Sequence, residues 1–298
     1  MNKSLEVLKK IYKPYRYTIL GKAVVLNTTS GDFVVKERCE KDIKELYAYL
    51  KSRNFTSFPK LIDDSRNDVN VYEYVEGVSM PKEQKALDLI DVVANLHNKT
   101  TFYKTVTVDD FKAIYDNIKS NIVYLQNDYN RLYEEIKKET YMSPSHYSFI
   151  RSIYKVFAAL DFANHELDAW YSLVKDQTKK RVSFIHNKLN LDHFIKSDDD
   201  YLISWDNYRT DTPVMDLVTF YQAEYFTIHF DVVFSRYLEK VNLSEDEKKL
   251  FFLLISIPPK IEFTDSEFKD CKMVREALDY VFITEELVRP YYAVQEKN

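Results

Sequence analysis

The sequence of 298 residues predicts an α+β fold with a small β-rich N-terminal lobe and a larger, mainly helical C-terminal lobe. Short runs rich in β-branched and aromatic residues are confined mostly to the first part of the chain. After them, apolar residues recur at steps of three and four, which is the period of a helix. The length is more than a single core needs and suits two lobes. We therefore place the lobes at residues 1–77 and 78–298.

The predicted N-terminal lobe combines short strands with one helix. Strands are expected at residues 15–20, 23–27, 32–36, 60–63 and 70–74. Residues 28–32 have the composition of a hairpin turn, and a second turn is expected at 64–68. A helix is predicted over 40–53, because its apolar residues have helical spacing. The connector 72–77 ends at Gly77, one of only three glycines in the chain.

The predicted C-terminal lobe is a series of helices interrupted once. Helices are expected at residues 86–98, 111–138, 147–175, 213–223, 231–241, 245–255 and about 267–287. The apolar stripe of 111–138 resembles a coiled-coil seam. It could bind a partner, but burial against helix 147–175 is the favoured interpretation. Residues 182–194 break the helical pattern, and a strand is predicted at 201–205.

Composition narrows the function classes. The net charge of -5 gives no sign of the basic face that nucleic-acid binding proteins usually show. Two distant cysteines predict no disulfide framework. No apolar run approaches the ~18 residues of a membrane span, and the first residues lack the apolar core of a signal peptide, so a cytoplasmic location is expected. The chain has only three glycines, and this scarcity disfavours efficient nucleotide chemistry. The base composition of an AT-rich genome would also explain the low glycine content.

One pair of residues suits the binding of nucleotide phosphates. Lys36 stands at the end of a predicted strand, and Glu45 lies in the following helix. A lysine held by a glutamate in this way contacts the α and β phosphates of ATP in kinases. The two residues could equally be ordinary surface charges. The turn at 20–23 has a single glycine, which makes it a poor loop for covering phosphates.

Residues 184–195 resemble the catalytic loop of the aminoglycoside phosphotransferase and choline kinase family, which reads His-Gly-Asp, four residues and Asn before an apolar pair. Residues 203–206 and 212–217 resemble the family's Ile-Asp-(Trp/Phe)-(Glu/Asp) and Asp-Pro-x-x-Asp-Leu segments. Residues 73–77 resemble its hinge, and 94–97 the helix after it. The resemblance spans roughly residues 15 to 225. It implies a bilobal, protein kinase-like fold with a degenerate catalytic loop at 183–206.

The departures from the family pattern fall on its chemical residues. Lys188 stands at the position of the catalytic base, while His193 and Ser204 stand at those of the metal ligands. A lysine ammonium cannot accept a proton, and loss of a base costs ~10²–10⁴ in rate. Loss of metal ligands removes charge stabilisation as well. We therefore expect no catalytic residues, no bound metal and no cofactor.

Other positions keep the family's residue types. The resemblance implies that His186 and Asp216 support the loop. It also implies that Lys36, Glu45, Glu73 and Val75 would bind a nucleotide if that function is retained. Asp192 and Asp206 are the fallback metal ligands.

The degenerate loop, the long Tyr- and Lys-rich helices and the segment 213–217 are also similar to spore coat proteins of the CotS type in endospore-forming Firmicutes, above all their YsxE and YutH branches. This second resemblance implies a pseudokinase with an assembly role in the coat, other coat proteins as partners, and a location in the mother cell and then the coat.

Two alternatives stay open. One is an ATP- and Mg²⁺-dependent phosphotransferase acting on a small-molecule hydroxyl through a non-standard site. The other is a nucleotide-binding sensor that has no activity.

Overall fold

The computed structural model describes residues 3–63, 65 and 68–293. It has a β-sheet in its N-terminal part and a mainly helical C-terminal part, which confirms the predicted α+β class. Contacts divide the chain into two compact units, Met1–Thr100 with His186–Arg209, and Thr101–Ile185 with Thr210–Asn298. The lobe boundary at residue 77 stays a prediction. Residues 64, 66 and 67 of the predicted turn at 64–68 lie outside the described residues.

The predicted helices and strands are all present in the predicted order with shifted ends, and further elements lie before and between them. The helices are α1 (Lys3–Tyr12), α2 (Ile43–Ser52), α3 (Lys82–Thr100), α4 (Val108–Ile136), α5 (Pro144–Val174), α6 (Val214–Glu224), α7 (Phe230–Lys240), α8 (Glu245–Ser256) and α9 (Glu267–Ala293). The strands are β1 (Arg16–Leu20), β2 (Ala23–Thr28), β3 (Gly31–Glu37), β4 (Leu61–Asp63), β5 (Val69–Glu73), β6 (Phe102–Thr105), β7 (Lys179–Ile185), β8 (Phe194–Lys196), β9 (Asp200–Leu202) and β10 (Arg209–Asp211).

The first unit is built on an antiparallel sheet in the order β1-β2-β3-β5-β4. The predicted hairpin is present: Thr28 pairs with Gly31 across a two-residue turn, and its Oγ1 donates a hydrogen bond to the Gly31 carbonyl at 2.6 Å. Leu8 of α1 is buried against the sheet together with Leu26 and Val71. Helix α1 was not predicted, because its first residues mix charge with short apolar runs.

Helix α2 begins later than predicted because Asp42 caps it. The Asp42 carboxylate accepts hydrogen bonds from the backbone N–H groups of Lys44 and Glu45 at 2.9 and 3.1 Å. Such a cap satisfies donors that have no partner within the helix. Residues 40 and 41 therefore precede the helix.

The strand predicted at 201–205 is shorter than expected. Strand β9 ends at Leu202, and a 3-10 turn begins at Trp205. Ser204 between them has φ 65° and ψ 49°, a left-handed conformation that departs from regular strand geometry.

The second unit is a helical assembly with a small sheet in the order β10-β7-β6. Helix α4 packs along α5, as predicted, and α5 also packs against α8 and α9. Helix α5 begins before the predicted residue 147, because Ser143 caps it and Pro144 is its first helical residue. Strands β6, β8 and β10 were missed, because three or four residues carry too little pattern. Strand β7 was not predicted either, although residues 182–194 were expected to break the helical pattern.

Two further predictions can be compared with the described residues. No helix among them is both long and apolar enough to cross a membrane. Cys39 and Cys271 are free thiols.

Candidate functional site

Lys36 of β3 forms an ion pair with Asp206. The position of Lys36 is fixed by the sheet, where it lies opposite Ala23 of β2 and Asn70 of β5. Asp206 is held by the 3-10 turn Trp205–Asn207. The side chains are 17% and 33% exposed, so the pair is shielded without being buried.

Glu45, the expected partner of Lys36, lies on an exposed face of α2. The structure pairs Lys36 with Asp206 instead. A second lysine holds the same segment, since the Lys41 ammonium donates a hydrogen bond to the backbone carbonyl of Tyr208. The Tyr208 hydroxyl donates in turn to the Asp42 carbonyl at 3.4 Å. Residues 206–208 are thus tied to β3 and to the cap of α2.

The loop after β7 is held in a defined shape by short polar contacts. Asn187 has φ 60°, a left-handed conformation that Gly and Asn tolerate better than other residues. It stands where the resembled family has glycine. Asn190 caps the 3-10 turn Leu191–His193, because its side chain accepts a hydrogen bond from the His193 N–H at 3.0 Å.

His193, at a metal-ligand position of the family pattern, is tied to its own loop. Its Nδ1–H donates a hydrogen bond to the Lys188 carbonyl at 2.7 Å. Burial, helped by the nearby ammonium groups of Lys188 and Lys36, holds the pKa of His193 below its ordinary value. The imidazole is therefore neutral at pH 7. Lys188 itself is exposed.

Buried rings lie beneath the loop. The fully buried His186 donates a hydrogen bond from Nε2 to the Ile203 carbonyl at 2.8 Å. Trp205 is 2% exposed, donates from Nε1 to the Leu202 carbonyl at 2.9 Å, and meets His186 edge to face with ring centres 5.1 Å apart. Phe55 also meets Trp205 edge to face, with ring centres 6.3 Å apart. These contacts fix the loop without using its exposed residues.

The connector after β5 keeps a backbone edge available. Glu73 is engaged, since its Oε1 accepts a hydrogen bond from the Lys60 N–H at 2.8 Å. No hydrogen bond of the Val75 backbone N–H or carbonyl is seen among the described residues. Gly77 passes close to β8, where a Cβ would lie 3.1 Å from Ile195 Cγ2. The glycine therefore permits this close approach.

The remaining predicted residues are in different surroundings. Asp192 is exposed on the loop of the first unit. Asp216 belongs to the second unit, where it is fully buried in the first turn of α6.

Sequence reasoning missed three features that shape the site. Asn187 could have been found, because an asparagine at a glycine position often marks a left-handed residue. The tie from Lys41 to Tyr208 has no sequence signal, since it links a side chain to a distant backbone atom. The role of Trp205 in anchoring the loop could not be predicted from the sequence either, because burial depends on the tertiary fold.

The residues at the metal positions do not fit Mg²⁺. This ion prefers oxygen ligands, usually carboxylates, in octahedral geometry. Ser204 offers a hydroxyl, His193 a neutral imidazole, and Asp206 is bound to Lys36. The described residues contain no group of three or more metal-binding side chains.

Comparison with known proteins places the fold. No protein-family model and no curated protein matches the chain. An aminoglycoside phosphotransferase from Alicyclobacillus acidocaldarius has a similar structure, with a TM-score of 0.67 at 10% identity over 95% of this chain and 92% of its own. A spectinomycin phosphotransferase bound to AMP is also similar, with a TM-score of 0.59 at 12% identity over 95% of this chain and 97% of its own. The chain therefore has the kinase-like fold of the aminoglycoside phosphotransferases.

Proposed function

We propose that the protein is a kinase-fold protein without phosphotransferase activity, which acts in assembly rather than in catalysis. The observation that carries the proposal is the state of His193. Its ring is neutral and donates to the Lys188 carbonyl at 2.7 Å, at the place where phosphoryl transfer needs a metal ligand. The side chain of Lys188 is a cation where that reaction needs a proton acceptor. The buried contacts of Trp205 and His186 keep the loop in shape nonetheless.

The partner class follows from the second resemblance. The degenerate loop, the long helices α4 and α5 and the segment 213–217 support a role in the spore coat, with other coat proteins as partners. The protein would be made in the mother cell and then join the coat. A fluorescent fusion expressed from the protein's own promoter tests this: we expect a ring of signal around the forming spore. Signal in growing cells that never reaches the spore would rule the role out.

A nucleotide-binding sensor is the second candidate, favoured by the free backbone edge at Val75 together with Lys36. Residues 73–77 resemble the family's hinge, and a lysine at the place of Lys36 binds phosphates in kinases. The third candidate, a phosphotransferase with Asp206 in a new role, needs that carboxylate to leave Lys36 first.

Thermal unfolding separates the three candidates. A ligand that binds the native state raises the midpoint by mass action. We expect no rise with ATP and Mg²⁺. At a nucleotide concentration about 100 times its dissociation constant, binding would increase the free energy of unfolding by about 2.7 kcal/mol. A rise with ATP in the presence of EDTA supports the sensor. A rise that requires Mg²⁺, accompanied by transfer to a hydroxyl acceptor, contradicts the main proposal.

Restoring the family residues tests the assignment of the three positions. The variant Lys188→Asp, His193→Asn, Ser204→Asp supplies a base and metal ligands together. We expect it to gain stabilisation by ATP with Mg²⁺ that the natural sequence lacks. A matched variant with alanine at the same three positions removes the side chains without supplying ligands, so it should gain nothing.

A further inference from the structure

Two neighbouring cavities in the second unit form one groove between α5 and α9. Their volumes are about 550 and about 580 Å³. Tyr154 and Lys155 line both cavities, so the groove is continuous past these residues. Nothing in the proposed kinase-like site uses this surface.

The groove has a defined length because the two helices run side by side in the same direction. Near their starts, the Ser145 N–H donates a hydrogen bond to Glu267 Oε1 at 2.6 Å. Further along, the Tyr292 hydroxyl donates to Glu166 Oε2, also at 2.6 Å. The α5 residues that line the groove extend from Tyr147 to Phe162, which corresponds to about 22 Å of helix.

The floor of the groove consists of small and medium-sized apolar side chains. It is lined by Ala158, Ala159, Val274, Leu278, Val281 and Val288. The two alanines let another helix axis approach closely, since the distance between packed helices depends on the side chains at the contact. Tyr147 and Tyr154 stand at the rim with 57% and 63% of their surface exposed. Such a surface resembles the grooves that receive amphipathic helices.

The charge of the groove is positive although the protein is acidic. Arg151 and Lys155 lie one turn apart on α5, both exposed, and neither has an ionic partner among the described residues. The arginines of α9 are already neutralised: Arg275 pairs with Asp279 at 3.6 Å and Arg289 with Glu285 at 2.8 Å. The lining therefore has two unneutralised cations, on a chain whose net charge is -5.

We propose that this groove binds an amphipathic helix of a partner protein, about four turns long, with an apolar stripe and acidic residues one turn apart. The apolar stripe covers the alanine and valine floor, because a helix buries its apolar face first. The acidic residues meet Arg151 and Lys155, which sets orientation and selects acidic partners. The proposal rests on the assembly role proposed above and names the class of partner.

The two cysteines provide the measurement. Cys271 lines the groove, whereas Cys39 belongs to the other unit, and both are free and partly exposed. The probe is a synthetic helix of about 16 residues, with leucines at helical spacing and glutamates beside them one turn apart. We expect the peptide to slow alkylation of Cys271 by iodoacetamide and to leave Cys39 unchanged, as measured by mass spectrometry of the digested protein.

Charge reversal makes the test specific. The variant Arg151→Glu, Lys155→Glu should bind the acidic peptide at least about tenfold more weakly and should bind a lysine analogue of the peptide instead. The control Lys138→Glu, Lys269→Glu changes the net charge equally at exposed residues outside the groove and should bind as the natural sequence does. Circular dichroism verifies that both variants fold.

Three results would overturn the proposal. One is the absence of Cys271 protection by the acidic peptide. Another is protection that the charge-reversed variant retains. The last is slower alkylation of Cys271 without any peptide as the protein concentration rises, together with a dimer in sedimentation. The groove would then be occupied by a second copy of the chain. All three are independent of nucleotide binding, so a failure here and a failure of the noncatalytic assignment are distinguishable.

Discussion

Lys36 and Asp206 form an ion pair although 170 positions separate them in the sequence. The lysine that would bind phosphate and the acid that could have replaced a lost metal ligand therefore neutralise each other. Each residue is held by its own element, β3 for Lys36 and the 3-10 turn Trp205–Asn207 for Asp206. The ion pair therefore occupies both groups, so that neither is available to a phosphate or a metal ion unless the pair separates.

The variant Asp206→Asn should bind tripolyphosphate in EDTA more tightly, because it frees the Lys36 ammonium. A partly exposed pair is worth up to about 1 kcal/mol, so we expect a gain of about fivefold in calorimetric titration and little change in stability. Asp192→Asn, which removes an exposed acid of the same loop, is the control and should change nothing. If ATP with Mg²⁺ stabilised the natural protein against heat and did not stabilise Asp206→Asn, Asp206 would instead be a metal ligand.

Asn187 should respond to substitution through its backbone. Because its φ is 60°, Asn187→Ala is expected to lower the free energy of unfolding by about 1 kcal/mol, whereas Asn187→Gly should be nearly neutral. Urea unfolding measures both. Asn54, with φ 58°, offers the same comparison outside the loop and should show the same sign. Equal losses for Ala and Gly would point to the 3.3 Å hydrogen bond from the Asn187 side chain to the Asn207 carbonyl.

The ion pair of Glu166 and Lys249 should be costly to break. Glu166 is 4% exposed and accepts hydrogen bonds at 2.6 Å from both the Lys249 ammonium and the Tyr292 hydroxyl. Lys249→Met leaves the carboxylate without its cation, so we expect a loss of about 3 kcal/mol in urea unfolding. Lys269→Met, at an exposed position of α9, is the control and should stay within about 0.5 kcal/mol. Similar losses in both variants would contradict the importance of the pair.

His193 should make the stability depend on pH. Since its pKa is lowered in the folded protein, the unfolded chain binds the proton first as pH falls. The stabilisation is complete above the unfolded pKa of about 6.5 and is lost below it. Between about pH 8 and pH 5.5, the melting temperature should fall more in the natural protein than in His193→Asn. Parallel curves would show that His193 titrates normally.

The sequence predicted most of the fold and less of the site. Strands β2 and β3 and helices α4 and α5 were found because alternation, hairpin residues and apolar spacing are local signals. Helix α1 and strands β6, β7, β8 and β10 were not predicted, since their short or mixed patterns become decisive only when they pack. At the site, the assignment of Lys188, His193 and Ser204 to the base and metal positions rests on the family resemblance and stays a prediction. The pairing of Lys36 with Asp206 was not, because it depends on how β3 meets a distant turn.

The burial of Trp205 and His186 beneath an exposed Lys188 has a consequence for redesign. The residues that define the path of the loop are packed among rings and backbone carbonyls, while Lys188, at the position of the base, is exposed. Position 188 can therefore be exchanged without repacking the interior. The loop would serve as a graft site, on which a base is installed or withdrawn while the host keeps its stability.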